Sequence, residues 1–264
     1  MKLFVKSLLV GVVFTTTLAN AYERIVVLSG DVGDIVTALG DAKKVVGRDN
    51  TNRNPALAHA KSIGTHRNLT PEPIVALKPD LVLGSYMVQP PTLYKRLNSL
   101  KIKAVNVAPT ESATDYIKAI TTIGQYLGKE QQAKKLSSRW QQGMATKKPT
   151  KVRYLLSYDG RIVAGKGTVG DELIKRAGGV NAVNIQGLKP LSREGWLAAK
   201  ADVIIIAKHN QATLGTISEF IKRPEISANP AAKKGKVYYW PANDFLRYGL
   251  DSPEIVSKLH ALAK

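Results

Sequence analysis

A pattern written twice constrains this chain more than any other feature. Leu69-Thr70-Pro71-Glu72 leads through Ile74-Val75-Ala76-Leu77-Lys78-Pro79-Asp80 into the apolar run Leu81-Val82-Leu83. Leu191-Ser192-Arg193-Glu194 leads through Trp196-Leu197-Ala198-Ala199-Lys200-Ala201-Asp202 into Val203-Ile204-Ile205-Ile206. Each copy predicts a helix, a short turn and a buried strand, with Thr70 and Ser192 as N-caps. A second echo supports the first: Val32-Gly33-Asp34 and Val169-Gly170-Asp171 each follow an apolar strand and open a helix. Two copies are too few for a solenoid, which needs three or more. They fit an α/β fold of two similar lobes, and two lobes leave a cleft between them.

Residues 1–21 read as a removable signal peptide. Lys2 and Lys6 give a basic start, Leu8 to Phe14 an apolar stretch, and Ala19-Asn20-Ala21 a small-x-small cleavage site. The expected product is an exported, soluble chain that begins at Tyr22. No later apolar run reaches the roughly 18 to 20 residues that spanning a bilayer requires. The chain has no cysteine, so disulfide stapling is excluded and each lobe is expected to stand on its own core. Removing Lys2 and Lys6 takes the formal charge from +19 to +17. That charge suits an anionic partner, but the basic residues are dispersed along the chain, which argues against a nucleic-acid-binding arm.

Strands alternating with helices predict a mainly parallel sheet in each lobe. The N-terminal lobe is placed at residues 22–110 and the C-terminal lobe at 147–264. Between them, over 111–146, Tyr116, Ile120, Ile123, Leu127, Ala133, Leu136 and Trp140 recur at helical steps. This predicts one long rigid helix, about 45 Å at 1.5 Å per residue, and hence a preformed cleft with little hinge motion.

In open α/β sheets, ligands bind beyond the carboxyl ends of the strands. That rule nominates Ser29-Gly30-Asp31, Gly64-Thr65-His66-Arg67 and Ser85-Tyr86-Met87 from the first lobe. From the second it nominates Tyr158, Gly165-Lys166-Gly167, Lys189, Arg193, Lys208-His209 and Asn243 to Tyr248. The set is rich in cations and phenols and poor in acids, which suits a flat or bulky anion. Nothing in it points to an enzyme. The sequence has no Gly-x-Ser-x-Gly, P-loop, His-Glu-x-x-His or cysteine nucleophile, and Gly30 and Gly33 fall one glycine short of a dinucleotide fingerprint. Four scattered histidines do not suit a carrier of bare zinc or manganese.

Arg24-Ile25-Val26-Val27-Leu28, Gly30-Asp31-Val32, Ala38-Leu39-Gly40 and Val45-Val46-Gly47 resemble the start of the periplasmic haem-binding proteins of ABC haem importers. The resemblance continues through Gly64-x-x-Arg67-x-Leu69, Leu77-Lys78-Pro79-Asp80-Leu81-Val82, Ala164-Gly165-x-Gly167-Thr168, Ala177-Gly178-Gly179-Val180-Asn181-Ala182 and Lys189-Pro190-Leu191-Ser192. It covers nearly all of the expected mature chain. It implies a monomeric carrier, located in the periplasm, that captures haem as transported cargo and hands it to an inner-membrane ABC permease. A carrier for a ferric siderophore or another anionic chelate is the alternative, with cobalamin behind it.

The resemblance also implies roles for single residues. One acid per lobe, here Glu72 and Glu194, would dock on permease arginines. The tyrosine that usually ligates iron in a Tyr-x-Arg motif is replaced by Thr65, in Thr65-His66-Arg67. His66 and Tyr86 are the candidate iron ligands, followed by Tyr248 and His209. Arg67, Lys189, Arg193 and Arg247 are candidates to hold the propionates, Arg247 standing in for an arginine expected near Gly249-Leu250-Asp251.

Overall fold

The computed structural model describes residues 22–264. The expected signal peptide lies outside the described residues. The N-terminal lobe contains β1 (Ile25–Val27), α1 (Gly30–Ala38), β2 (Val45–Arg48), β3 (Lys61–Ser62), α2 (Pro71–Val75), β4 (Leu81–Ser85), α3 (Leu93–Ser99) and β5 (Lys103–Ala108). Its strands form one parallel sheet in the order β3-β2-β1-β4-β5. β1 and β4 are apolar without alternation because helices cover both faces of a parallel sheet, and all their residues are buried.

Two helices follow, α4 (Ala113–Leu127) and α5 (Glu130–Gly143). The single long strut expected from the periodicity is therefore broken. Gly128 ends α4 in the left-handed conformation, at φ 64°, and the chain turns back. Tyr116 near the start of α4 meets Trp140 near the end of α5, with ring centroids 5.1 Å apart. Gly124 lies against Ala133, so close that a β-carbon on it would stand 2.2 Å from that of Ala133. These pairings make an antiparallel hairpin whose arms are each about 22 Å long.

The C-terminal lobe contains β6 (Arg153–Ser157), β7 (Ile162–Ala164), α6 (Val169–Arg176), β8 (Val180–Asn181), β9 (Leu188–Pro190), α7 (Arg193–Ala199) and β10 (Val203–Ala207). Four short helices come next: α8 (Gln211–Leu214), α9 (Ile217–Phe220), α10 (Pro224–Ser227) and α11 (Pro230–Lys233). β11 (Val237–Trp240), α12 (Asn243–Leu246) and α13 (Ser252–Ala261) complete the lobe. Its sheet runs β11-β10-β6-β7-β9, with β8 also on β6. It is mixed: β6, β8, β10 and β11 are parallel, but β7 is antiparallel to both β6 and β9. Among the described residues no helix is long and apolar enough to cross a membrane.

The lobes do not have wholly separate cores. One apolar cluster runs from Ile25, Ile35 and Leu83 through Ile120, Ile123 and Trp140 to Leu156, Leu173 and Leu259. The hairpin joins the lobes by sharing their interior, in place of the disulfides the chain lacks. Each outer sheet face keeps a core of its own, around Val26, Leu28 and Ile74 in one lobe and Leu155, Trp196 and Ile204 in the other.

The two duplicated helices start differently at the atomic level. Ser192 Oγ accepts from the Gly195 amide at 3.1 Å. Thr70 stands at the equivalent N-cap but makes no such bond. Its N3 residue is Pro73, which has no N–H to donate. The Val-Gly-Asp echo has a steric reason. A β-carbon on Gly33 would lie 2.0 Å from Asn52 Nδ2, and one on Gly170 would lie 2.9 Å from Ala164 Cβ. Both helices need glycine to approach their neighbours.

Candidate functional site

Two contacts bring the carboxyl ends of the two sheets toward each other. Glu111, three residues beyond β5, accepts a hydrogen bond from the Val169 amide at the start of α6, at 3.0 Å. Arg247, just after α12, donates from Nη2 to Asp34 Oδ2 on α1 at 3.2 Å and from Nη1 to the Tyr248 carbonyl at 3.1 Å. Arg247 is 8% exposed. Burial would lower its pKa, but Asp31, Asp34 and Tyr116 raise it overall, so it stays charged. An arginine expected to hold a propionate is thus already engaged with an aspartate of the opposite lobe.

Tyr86 directly follows β4, at the carboxyl end of the N-terminal sheet. Its amide donates to the Ala108 carbonyl at 2.7 Å, which fixes its backbone on the end of the sheet. The ring is partly buried, and burial raises its hydroxyl well above the usual phenol range. Glu111 and Asp31 act in the same direction, while Arg247 opposes them. Among the described residues the Tyr86 hydroxyl has no hydrogen-bond partner, yet it is not sealed from solvent. The neighbouring phenols differ. Tyr94 donates to the Ser85 carbonyl at 2.9 Å, and the Tyr116 hydroxyl is fully buried without a partner.

More acid gathers here than the sequence set suggests: Asp31 is among the nominated residues and Glu111 is not. Asp31 is 3% exposed, and its Oδ1 is buried without a hydrogen-bond partner. Glu111 is an exposed residue, but its carboxylate end packs against α6, where burial raises its pKa and the Val169 amide partly offsets this. No motif marks Glu111, because its partner lies 58 positions away in the other lobe.

The remaining candidates are spread over the molecule. The His66 side chain is only 8% exposed and lies within its own lobe, Nδ1 being 3.1 Å from Asp49 Oδ2 and 3.2 Å from Thr51 Oγ1. Thr65 and Arg67 on either side of it are exposed. Tyr248 is 5% exposed, packed on Tyr116 and Trp140 with centroids at 6.1 and 5.8 Å. Trp140 Nε1 donates to the Gly249 carbonyl at 2.8 Å, which fixes this aromatic group on the hairpin. Lys189 is exposed on β9, at the edge of the sheet. Arg193 is exposed, and its Nε lies 3.7 Å from Glu225 on α10. His209 is exposed beside Tyr158, with ring centroids 5.0 Å apart and its Nε2 3.0 Å from Asn210 Nδ2. Arg247 and Tyr248 are neighbours on the segment after α12, Lys189 and Arg193 lie on β9 and α7, and the His66 carbonyl accepts from the amide of Gln89, three residues beyond Tyr86.

Glu72 and Glu194 occupy the same position in the two repeats, in the first turns of α2 and α7, and both are exposed. The Thr70 hydroxyl and the helix's own amide lower the Glu72 carboxyl. The Glu194 amide and the Ser192 hydroxyl lower that of Glu194. Both therefore present a full negative charge at neutral pH.

The fold is shared with solved structures. The periplasmic haem-binding protein RhuT from Roseiflexus sp. RS-1, in apo form, superposes with a TM-score of 0.81 at 27% identity, over 92% of this chain and 99% of that one. The periplasmic haem-binding protein BhuT, in complex with two haems, gives 0.82 at 27%, over 92% and 98%. The periplasmic haem-binding protein HutB of Vibrio cholerae gives 0.80 at 27%, over 90% and 98%. No curated protein matches the sequence. Over residues 25–243 the sequence matches the periplasmic binding protein family, whose fold is that of solute-binding transport proteins, and the chain belongs to that family.

Proposed function

We propose that this chain captures haem in the periplasm and delivers it to an inner-membrane ABC importer, carrying it as cargo and performing no chemistry on it. The observation that carries this reading is the agreement of three haem-binding proteins with the fold over at least 90% of its length, at 27% identity. The site supports it. Contacts between the lobes run from Glu111 to Val169 and from Arg247 to Asp34 near the carboxyl ends of the sheets, and a flat macrocycle held between two such ends would be covered on both faces.

Propionates extend from one edge of a haem and need cations that are free to pair. Arg67 and Lys189 are exposed and have no ion-pair partner among the described residues, so they are the better candidates. Arg193 and Arg247 already have carboxylates beside them. Glu72 and Glu194, one per lobe, would dock on basic residues of the permease. A monomer suffices for this role, and the dispersed positive charge serves an anionic cargo without any nucleic-acid partner.

Titrating the purified chain with haemin tests the reading. The expected result is a Soret shift that saturates at a fixed stoichiometry. An unshifted spectrum together with tight binding of a ferric siderophore would replace haem by that chelate.

A further inference from the structure

We propose that the end of the C-terminal lobe remote from the cleft is a lysine surface that seats the chain on anionic phospholipid. Such binding is independent of the cargo. Lysines dispersed along the sequence are gathered by the fold where β6, β10 and β11 begin.

A cavity of about 340 Å³ opens at this end, lined by Lys151, Lys234, Lys236 and Lys264. Lys264 brings its own terminal carboxylate. Asp202 is the one acidic side chain in the lining, and its Oδ2 accepts from the Arg153 amide at 3.0 Å. Lys148, Lys200 and Lys233 lie within two residues of the lining segments. Like Lys151 and Lys234 they are exposed, and none of these lysines has an ion-pair partner among the described residues.

The backbone shows the same preference for charge. Lys151 and Lys200 are in left-handed conformation, at φ 44° and 45°. Glycine takes that conformation at lower cost. The other non-glycine residues with positive φ among the described residues are also lysines, Lys78 and Lys101, in the turns before β4 and β5. The chain keeps a cation where geometry alone would choose glycine.

Lipid suits this surface better than a protein partner does. The cavity lining has no aromatic residue, and Val152 and Ala263 are its apolar members. Protein interfaces centre on aromatic and arginine anchors and are poor in lysine. Arg153 turns inward, its Nε and Nη2 donating to the Ala199 carbonyl at 3.0 and 2.9 Å. The exposed cations are thus ammonium groups on flexible stems, which follow a diffuse layer of phosphates. The strand β10 separates this end from the cleft by about 16 Å, at roughly 3.3 Å per residue. Glu194 lies in the first turn of α7 and Lys200 just past its last. Anionic lipid attracts one end of that helix and repels the other, so the seated chain keeps its cleft turned away from the membrane.

Co-sedimentation of residues 22–264 with vesicles tests the proposal. The chain should bind phosphatidylcholine vesicles that contain phosphatidylglycerol, should not bind pure phosphatidylcholine, and should be released by salt. Combining Lys151→Gln, Lys200→Gln, Lys233→Gln and Lys234→Gln should lower the partition coefficient at least about a hundredfold, since each lysine near such a surface contributes about fivefold. Combining Lys61→Gln, Lys95→Gln, Lys134→Gln and Lys135→Gln removes the same charge from exposed positions elsewhere, and should lower it less than about fivefold. Equal losses in the two variants would reduce the effect to net charge and overturn the site, as would wild-type binding by the first. Inorganic phosphate that releases the chain better than chloride at equal ionic strength would reassign the cavity to a small anion and overturn the lipid assignment. A wild type that ignores the anionic vesicles also overturns it, and retention on immobilised polyglutamate through the same lysines would then point to an acidic protein.

Discussion

The Glu111 carboxylate accepts the amide hydrogen of Val169 at 3.0 Å and so caps the first helix of the opposite lobe. The reverse contact is the Arg247 guanidinium on Asp34, at 3.2 Å, in the first helix of the N-terminal lobe. Each lobe thus sends one charged side chain, from a segment after its last strand, onto the helix that opens the other lobe's Val-Gly-Asp echo. Exchanging contacts in this way fixes the spacing of the lobes without a hinge-spanning disulfide. It also holds the acids around Tyr86 in place.

Breaking the Arg247 half of this clasp should be costly. Arg247→Ala leaves Asp31 and Asp34 without their cation, and removing one partner of a buried pair typically costs about 3 kcal/mol. Arg247→Lys keeps the charge but loses the fork that also reaches the Tyr248 carbonyl, so it should fall between the two. Urea unfolding read by tryptophan fluorescence measures both. An Arg247→Ala midpoint equal to wild type would show that the pair contributes nothing.

The hairpin seam gives a second measurement. In an exposed helix, replacing glycine by alanine gains about 1 kcal/mol. At Gly124 the new methyl would meet the Ala133 methyl at 2.2 Å. Overpacking of that kind costs about 1–3 kcal/mol, so the clash should outweigh the gain. Gly124→Ala should lower the unfolding midpoint, and adding Ala133→Gly should recover part of the loss. A single variant more stable than wild type would mean that the arms do not pack as described.

The repeat made the two-lobed architecture legible because parallel strands buried on both faces write themselves as unbroken apolar runs. The strands that went unseen, β3, β8 and β9, are two or three residues long and contain no buried residue, and therefore have no apolar signature. The broken strut was missed for a different reason. Steps of three and four in α4 and in α5 read as one helix, but the step of six from Leu127 to Ala133 turns the apolar face, and that break together with the left-handed Gly128 marks the reversal. Site legibility followed the same division. Tyr86 was placed at a strand end from the sequence, and it does follow the last residue of β4. Glu111 and the engagement of Arg193 with Glu225 were not found, because each depends on a partner distant in sequence.

Docking through the duplicated glutamates predicts a separation of functions. Glu72→Lys and Glu194→Lys should leave haemin affinity unchanged, since both side chains are exposed on the first turns of α2 and α7. Stimulation of the importer's ATPase in nanodiscs should fall for each variant and fall further for the double variant. Raising salt should weaken the wild type in the same way, because exposed charges are screened. Full stimulation by the double variant would remove these residues from the interface.

Acidity should act on folding stability through Asp244. Burial, and then the adjacent Asp251, push its carboxyl from 3.8 to about 6. A carboxyl raised in the folded state makes the ionised form the unfavourable one. The stabilising contribution of the neutral form is complete below 3.8 and is lost as pH rises through about 6. Asp244→Asn should therefore stabilise the chain near pH 7.5 by about 1 kcal/mol, after discounting for partial exposure. That gain should shrink toward zero near about pH 2.5, where the wild-type group is protonated in both states. Glu111, also raised by burial, moves in the same direction. Glu111→Gln keeps an acceptor for the Val169 amide, so it should add a smaller gain with the same dependence on pH. Paired urea midpoints for wild type and Asp244→Asn at the two pH values give the difference directly. An equal gain at both would mean that Asp244 is not titrating between them.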